Sequence, residues 1–242
     1  MTEQIPDGLV CLTFDDGVKS QHTVAAPLLE ELGFGATFYI CEHFLENQER
    51  YMTWPEVADL DARGFEIGNH TRHHTNVTTQ SEAELLSDIA FIDQRCAAHG
   101  ITKPTTFCYP GYNHSAEAAA VVGSHGFSLA RRGIAPECPY HREGGRGAAY
   151  DPSRHDPLLI PSTGVPGPAY SFDDLAWSVD QATGGAVCVL TLHGVPDLDH
   201  PWVHTPSDTF ERYMRYLQDR GCKVIALRDL MAYEAVRATV SS

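Results

Sequence analysis

Short apolar runs recur along this chain, and the stretches between them carry helical periodicity. That alternation limits the fold more than any other feature of the sequence. The runs at 9–14, 36–40, 65–68, 105–108, 127–130, 158–160, 186–193 and 223–226 read as strands. Helices are predicted over 23–32, 54–63, about 81–99, about 115–125, 171–183, 207–220 and from 228 onward. Their ends carry stop and start chemistry. Thr53 stands as N-cap before Pro55, Ser81-Glu82-Ala83-Glu84 has capping-box spacing, and Gly100 and Gly221 follow helix ends. Strands alternating with helices imply βα units and a parallel sheet, hence an α/β protein whose sheet is either open and twisted or closed into a barrel. The 242 residues fit one domain, 1–242. Within it, 133–169 is rich in Gly and Pro and is predicted as a long loop excursion. There is no internal repeat and no low-complexity tract.

Three of the strand-like runs end in ionisable groups. The first runs into Thr13-Phe14-Asp15-Asp16-Gly17, another into His70-Thr71-Arg72-His73-His74, and 186–192 into His193. Two histidines four residues apart face the same way if the backbone between them makes one turn. With a carboxylate from elsewhere they give three ligands and leave positions for water, as catalytic metal sites do. One Asp of the pair can hold the ion while its neighbour takes a proton from water. A surface His cluster or a solvated Asp-Asp turn is ordinary taken singly. Three strand ends of this kind together point to a pocket, because active-site groups in α/β folds gather where parallel strands end.

Composition narrows the partners. With 43% hydrophobic residues and no apolar run near 18 residues, a globular chain with no membrane span is expected. A net charge of −15 argues against nucleic acid as a partner, and against a polyanionic substrate unless the cleft is locally positive. Seven cysteines without C-x-x-C spacing argue against a disulfide framework and for a reducing compartment; Cys11, Cys108 and Cys188 read as small buried hydrophobes. The first six residues carry no basic and apolar leader pattern, so a cytoplasmic location is expected. The sequence leaves oligomeric state open.

T-F-D-D-G, Ala36-Thr37-Phe38-Tyr39, the stretch Gly64-Phe65-Glu66-Ile67-Gly68-Asn69-His70-Thr71 with His74, and the late strand ending in His193 occur in an order that resembles the NodB-homology polysaccharide deacetylases, carbohydrate esterase family 4. The resemblance runs from about Leu9 to the C-terminal helix. It implies a single-domain distorted (β/α) barrel of the NodB deacetylase type. It also implies Asp15 as general base, Asp16, His70 and His74 as ligands of one divalent ion, and His193 as general acid. Zinc is the default ion for such ligands, and cobalt or nickel also fit. Backbone N–H groups of Gly111 and Tyr112 could stabilise an oxyanion.

The chain departs from the family pattern in three places. Cys108 stands where the third motif carries an Arg that holds the catalytic Asp; Arg131 or Arg132, at the end of the next strand, could replace it. Strand alternation lets only one of the two face inward, and Arg132 is the choice made here. The fourth motif, of the Asp-x-x-Asp-Trp type, is not recognisable, and Thr191-Leu192-His193 alters the last. After His193, Trp202 with His200 and His204 could line the cleft and stack on a sugar, unless the segment is only a Pro-stiffened loop. His73 is an alternative ligand. His22, His43, His99, His114 and His125 read as solvated or structural.

The expected activity is therefore metal-dependent removal of N- or O-linked acetyl groups from a saccharide. An alternative keeps fold and metal but cleaves a small amide such as a cyclic imide or ureide, as allantoinase-like relatives do. A non-catalytic carbohydrate-binding relic is the third reading; it would need none of the acid, base or metal residues that are present.

Overall fold

In the computed structural model, which describes residues 3–139 and 145–240, seven parallel strands carry the chain through a curled sheet. They are β1 (Leu9–Phe14), β2 (Thr37–Ile40), β3 (Glu66–Asn69), β4 (Thr106–Cys108), β5 (Leu129–Arg131), β6 (Cys188–Leu192) and β7 (Lys223–Ile225). The order is β5-β4-β3-β2-β1-β6. β7 pairs with the first half of β1, at Leu9–Cys11, while β2 pairs with its last residues Thr13 and Phe14. Among the described residues, seven α-helices lie between strands, α1 (Ala26–Leu32), α2 (Glu42–Leu45), α3 (Trp54–Ala62), α4 (Glu82–Ala98), α5 (Ala116–His125), α6 (Phe172–Asp180) and α7 (Ser207–Asp219), and α8 (Glu234–Val240) follows β7. This is a distorted (β/α) barrel. No helix among the described residues is long and apolar enough to cross a membrane.

Strand alternation sorts the residues into two layers. Leu9, Cys11, Tyr39, Cys108, Leu129 and Val189 share the inner cluster. Val10, Leu12, Phe14, Phe38, Ile40 and Leu190 belong to the cluster beneath the helices. Asp15, Arg131 and His193 follow the parity of the inner rows, so the barrel interior ends in charged groups where the strands end. Gly68 is required on such a row, because a Cβ there would stand 2.4 Å from the ring of Tyr39.

Local chemistry fixes the helix starts. Thr53 and Glu56, and Ser81 and Glu84, form reciprocal capping boxes as their spacing predicts, and Ser171 and Asp174 form a third. Several boundaries differ from the sequence reading. The expected helix over 23–32 divides into a π-turn at Gln21–Ala25 and α1. The expected helix from Arg228 is a 3₁₀ turn, Leu227–Ala232, followed by α8.

The Gly- and Pro-rich segment 133–169 holds neither helix nor strand among its described residues. Residues 140–144 lie outside the described residues, and part of the rest is an ordered, buried loop. Tyr150, Ile160, Ser162 and Thr163 have no exposed surface. Ile160 bridges Arg131 in parallel and Gly164 bridges Leu190, so this segment fills the gap between β5 and β6. The strand expected at 158–160 is one such bridge. Single-residue bridges leave no periodicity to read.

Candidate active site

The ends of β1, β3 and β6 open onto one cavity of about 400 Å³, lined by Asp15, Asp16, Phe44, His70, His74, Gly111, Tyr112, His193, His200, Trp202 and Val203. A larger hollow of about 640 Å³ beside α4 and α5 is lined by neither histidine nor cysteine.

The backbone around the cavity is held in costly conformations. Asp16, Thr71, His74 and Tyr112 are the non-glycine residues with positive φ among those described, at 73°, 67°, 56° and 62°. Each such conformation costs on the order of 1–3 kcal/mol and persists where surrounding structure enforces it. Asp15 N–H donates to Leu192 O at 2.9 Å, which ties β1 to β6, and the chain then turns through Asp16 and Gly17. Gly17 sits at φ 72°, a conformation that strains any residue with a Cβ, so the last letter of T-F-D-D-G is conformational. On β3, Asn69 Oδ1 accepts from Thr71 N–H at 3.0 Å and Thr71 Oγ1 accepts from His74 N–H at 3.2 Å. This irregular turn, and not a helical one, brings His70 and His74 together, with ring centroids 4.9 Å apart.

His70 Nδ1 stands 2.9 Å from Cys108 O, which makes it the N–H donor and leaves Nε2 as the lone-pair nitrogen. His70 Nε2 lies 3.4 Å and His74 Nε2 3.5 Å from the same atom, Asp16 Oδ1. That oxygen is buried and has no hydrogen-bond partner. Burial alone would raise the Asp16 carboxyl, but the imidazoles of His70, His193 and His74 beside it hold it below the usual carboxylate range. Burial, with His70 beside it, pushes His74 down to about 4, so its imidazole is neutral. Two imidazole nitrogens and a carboxylate oxygen thus converge on one small space. The donor set of two imidazoles and one carboxylate fits a divalent ion of the zinc type.

Asp15 is 1% exposed and separately held. Its Oδ1 accepts from Arg131 Nη2, and its Oδ2 lies 3.6 Å from Cys108 Sγ and 3.8 Å from His193 Nε2. Arg132 points the other way and pairs with Glu137 through both terminal nitrogens, at 2.9 and 2.6 Å. The expectation that Arg132 is the inward residue is therefore corrected to Arg131. The reason is parity: Arg131 shares the inner row with Leu129, and Arg132 the outer row with Ala130, which packs under the helices.

Other expected residues divide. Tyr112 N–H is committed to Tyr109 O at 3.0 Å, which leaves Gly111 as the candidate donor of that pair. His73 is turned out, more than half exposed, with Asp88 at 3.8 Å, so it is not a third histidine of the cluster. Trp202 is 69% exposed at the rim, and His200 lies within the cavity wall. Two participants carried no sequence signal. Gln21, fully buried, donates through Nε2 to Asp15 O at 2.5 Å and His193 O at 3.3 Å, clamping two strand ends. Phe44 sets its ring 5.0 Å from that of His74. All seven cysteines are unpaired, and Cys11, Cys108 and Cys188 have no exposed surface.

Residues 2–130 match the family described as polysaccharide deacetylase. The chain is 28% identical over 130 residues to a chitin deacetylase of a Pestalotiopsis species, an alignment that covers 51% of this chain and 41% of the relative. It is 24% identical over 86 residues to the peptidoglycan-N-acetylmuramic acid deacetylase PdaA of Bacillus subtilis (strain 168), covering 35% of this chain and 31% of that one. The chain thus spans less than half the length of either relative. In structure it is similar to a family 4 carbohydrate esterase from Bacillus anthracis, with TM-score 0.60, 16% identity, and coverage of 95% of this chain and 85% of the other.

Proposed function

This chain belongs to the polysaccharide deacetylase family, and from that premise we propose that it is a metal-dependent hydrolase removing N- or O-linked acetyl groups from a saccharide. One observation carries the proposal: Asp16 Oδ1, buried and without a hydrogen-bond donor, faces two imidazole nitrogens, with Asp15 and His193 alongside. The relatives, by name a chitin deacetylase and a peptidoglycan-N-acetylmuramic acid deacetylase, support an acetylated sugar as the substrate.

Asp16, His70 and His74 would hold the ion. A divalent ion in such a site supplies Lewis acidity, which polarises a carbonyl and acidifies water. The remaining chemistry belongs to the chain. Asp15 accepts the proton of the attacking water, with Arg131 fixing one carboxylate oxygen and leaving the other toward the cavity. Arg131 has no exposed surface, so this pairing is shielded from salt and water. His193 donates a proton to the leaving nitrogen or oxygen. Its Nε2 stands 3.8 Å from Asp15 Oδ2 and 4.0 Å from Asp16 Oδ2, between base and ligand. Gly111 N–H is the candidate donor to the developing oxyanion. Trp202 at the rim offers a flat apolar face for a sugar ring.

A panel of acetylated sugars and cyclic amides, assayed with the chelator-stripped and the zinc-restored protein, tests the reading. Acetate release from a saccharide, restored by zinc, is the expected result. Turnover of a cyclic imide or ureide with acetylated sugars untouched would replace the proposed substrate class and keep the site.

A further inference from the structure

The loop after β6 carries a histidine that the acid, base and ligand roles leave unused. His200 sits in the cavity wall with its ring 5.3 Å from that of Trp202 and 5.5 Å from that of Phe44. Its Nδ1 is buried without a hydrogen-bond partner, 3.5 Å from Asp197 Oδ2 and 3.9 Å from Asp16 Oδ2. The opposite edge of the ring, with Nε2, is then the part that remains for a ligand. The side chain keeps 20% of its surface exposed and lines the cavity.

The loop is built to hold the ring there. Asp197, 2% exposed, accepts from the N–H groups of Gly194, Asp199 and His200 at 3.4, 3.1 and 2.8 Å. Its own N–H donates to His204 Nδ1 at 3.1 Å. Ser20 Oγ donates to Pro196 O at 2.8 Å and accepts from Val195 N–H at 2.7 Å, which ties the loop to the segment after β1. A fixed polar edge beside the exposed indole of Trp202 suits a sugar: the ring's C–H face lies on the aromatic surface and a hydroxyl meets the hydrogen-bonding edge.

Resting on the deacetylase reading above, we infer that His200 is a substrate-positioning residue, held by Asp197, whose Nε2 edge hydrogen-bonds a hydroxyl of the sugar seated on Trp202. That bond registers the acetyl group against Asp15 and His193. A substrate without a sugar ring has nothing to place there.

The test compares zinc-loaded wild type, His200→Ala and His200→Gln on two substrates. One is 4-nitrophenyl acetate. The other is an N-acetylglucosamine pentamer or an acetylated xylo-oligosaccharide, whichever the wild type deacetylates faster. His200→Ala should raise KM for the oligosaccharide about tenfold, the scale of one lost hydrogen bond, with a smaller change in kcat. The ratio of kcat/KM for oligosaccharide over nitrophenyl ester should fall by a similar factor, and His200→Gln should recover part of it. Zinc affinity should not show the loss of about 10–100-fold that follows removal of a partner orienting a metal ligand. An unchanged substrate ratio, or a zinc-affinity loss that matches the loss of turnover, would overturn the assignment by making His200 a prop for Asp16. A wild type that spares every saccharide defeats the deacetylase reading together with this one. A wild type active on saccharide beside an unaffected variant defeats this one alone.

Discussion

Glu66 and Asp16 are both buried carboxylates on this barrel, at opposite ends of its strands, and their surroundings differ in kind. Glu66, at the start of β3 and 1% exposed, has both oxygens occupied: Oε1 accepts from Thr106 Oγ1 at 2.7 Å, and Oε2 from Thr37 Oγ1 at 2.6 Å and Arg228 N–H at 2.9 Å. Asp16, beyond the end of β1 and 4% exposed, has an oxygen with no donor and two imidazole nitrogens aimed at it. A buried polar group that the fold satisfies is structural. One left unsatisfied, on backbone held at positive φ, is the feature on which the proposed metal site rests.

The strongest way to break this contrast is to truncate the open end. Asp16→Ala, His70→Ala and His74→Ala should each abolish acetate release from a saccharide while circular dichroism stays native; a variant that keeps turnover removes its residue from the ligand set. Next come the groups that move protons. Asp15→Asn and His193→Ala should retain zinc yet lower kcat by roughly 10²–10⁴. If Asp15→Asn turns over like wild type with zinc bound, the base lies elsewhere.

Arg131 and Arg132 sharpen the comparison within one strand. Arg131→Met should lower kcat far more than KM and cost on the order of 3–5 kcal/mol in stability, because it strands the buried Asp15 charge. Arg132→Met loses a pair with the one-third-exposed Glu137 and should leave kcat near wild type. Equal kinetic losses in the two variants would undo the assignment of the guanidinium to Arg131.

The smallest effect belongs to the satisfied end. Burial raises the Glu66 carboxyl above its ordinary 4.5, although Thr37, Arg228 N–H and Thr106 oppose this. A raised acid keeps its proton longer in the folded state, so its contribution to stability is full below 4.5 and is lost as pH rises through the folded value. Glu66→Gln should therefore remove one component of Tm that declines with rising pH, with zinc binding unchanged. A difference curve, wild type minus Glu66→Gln, that rises with pH in that window would contradict the sign.

Much of this was legible from residues alone. The bounds of β1 match the apolar run at 9–14, because a strand buried on both faces needs consecutive apolar side chains. The convergence of Asp15, Asp16, His70, His74 and His193 also followed from where strands end. What was hidden depends on register. Choosing between Arg131 and Arg132 needs the parity of β5 against its neighbours, which two adjacent arginines do not disclose. The barrel-closing segment near Ile160 and Gly164 pairs by single bridges amid Gly and Pro, so its composition resembles that of a surface loop. Gln21 acts through its amide on two carbonyls of distant strands, a contact with no local pattern.

Calorimetric titration of zinc into chelator-stripped wild type, with Asp16→Ala and Glu66→Gln titrated alongside, tests the central contrast most directly. Wild type and Glu66→Gln should each bind one equivalent with the same affinity, and Asp16→Ala should lose that binding. Equal zinc binding by Asp16→Ala and wild type would mean that the open oxygen of Asp16 is not a metal ligand.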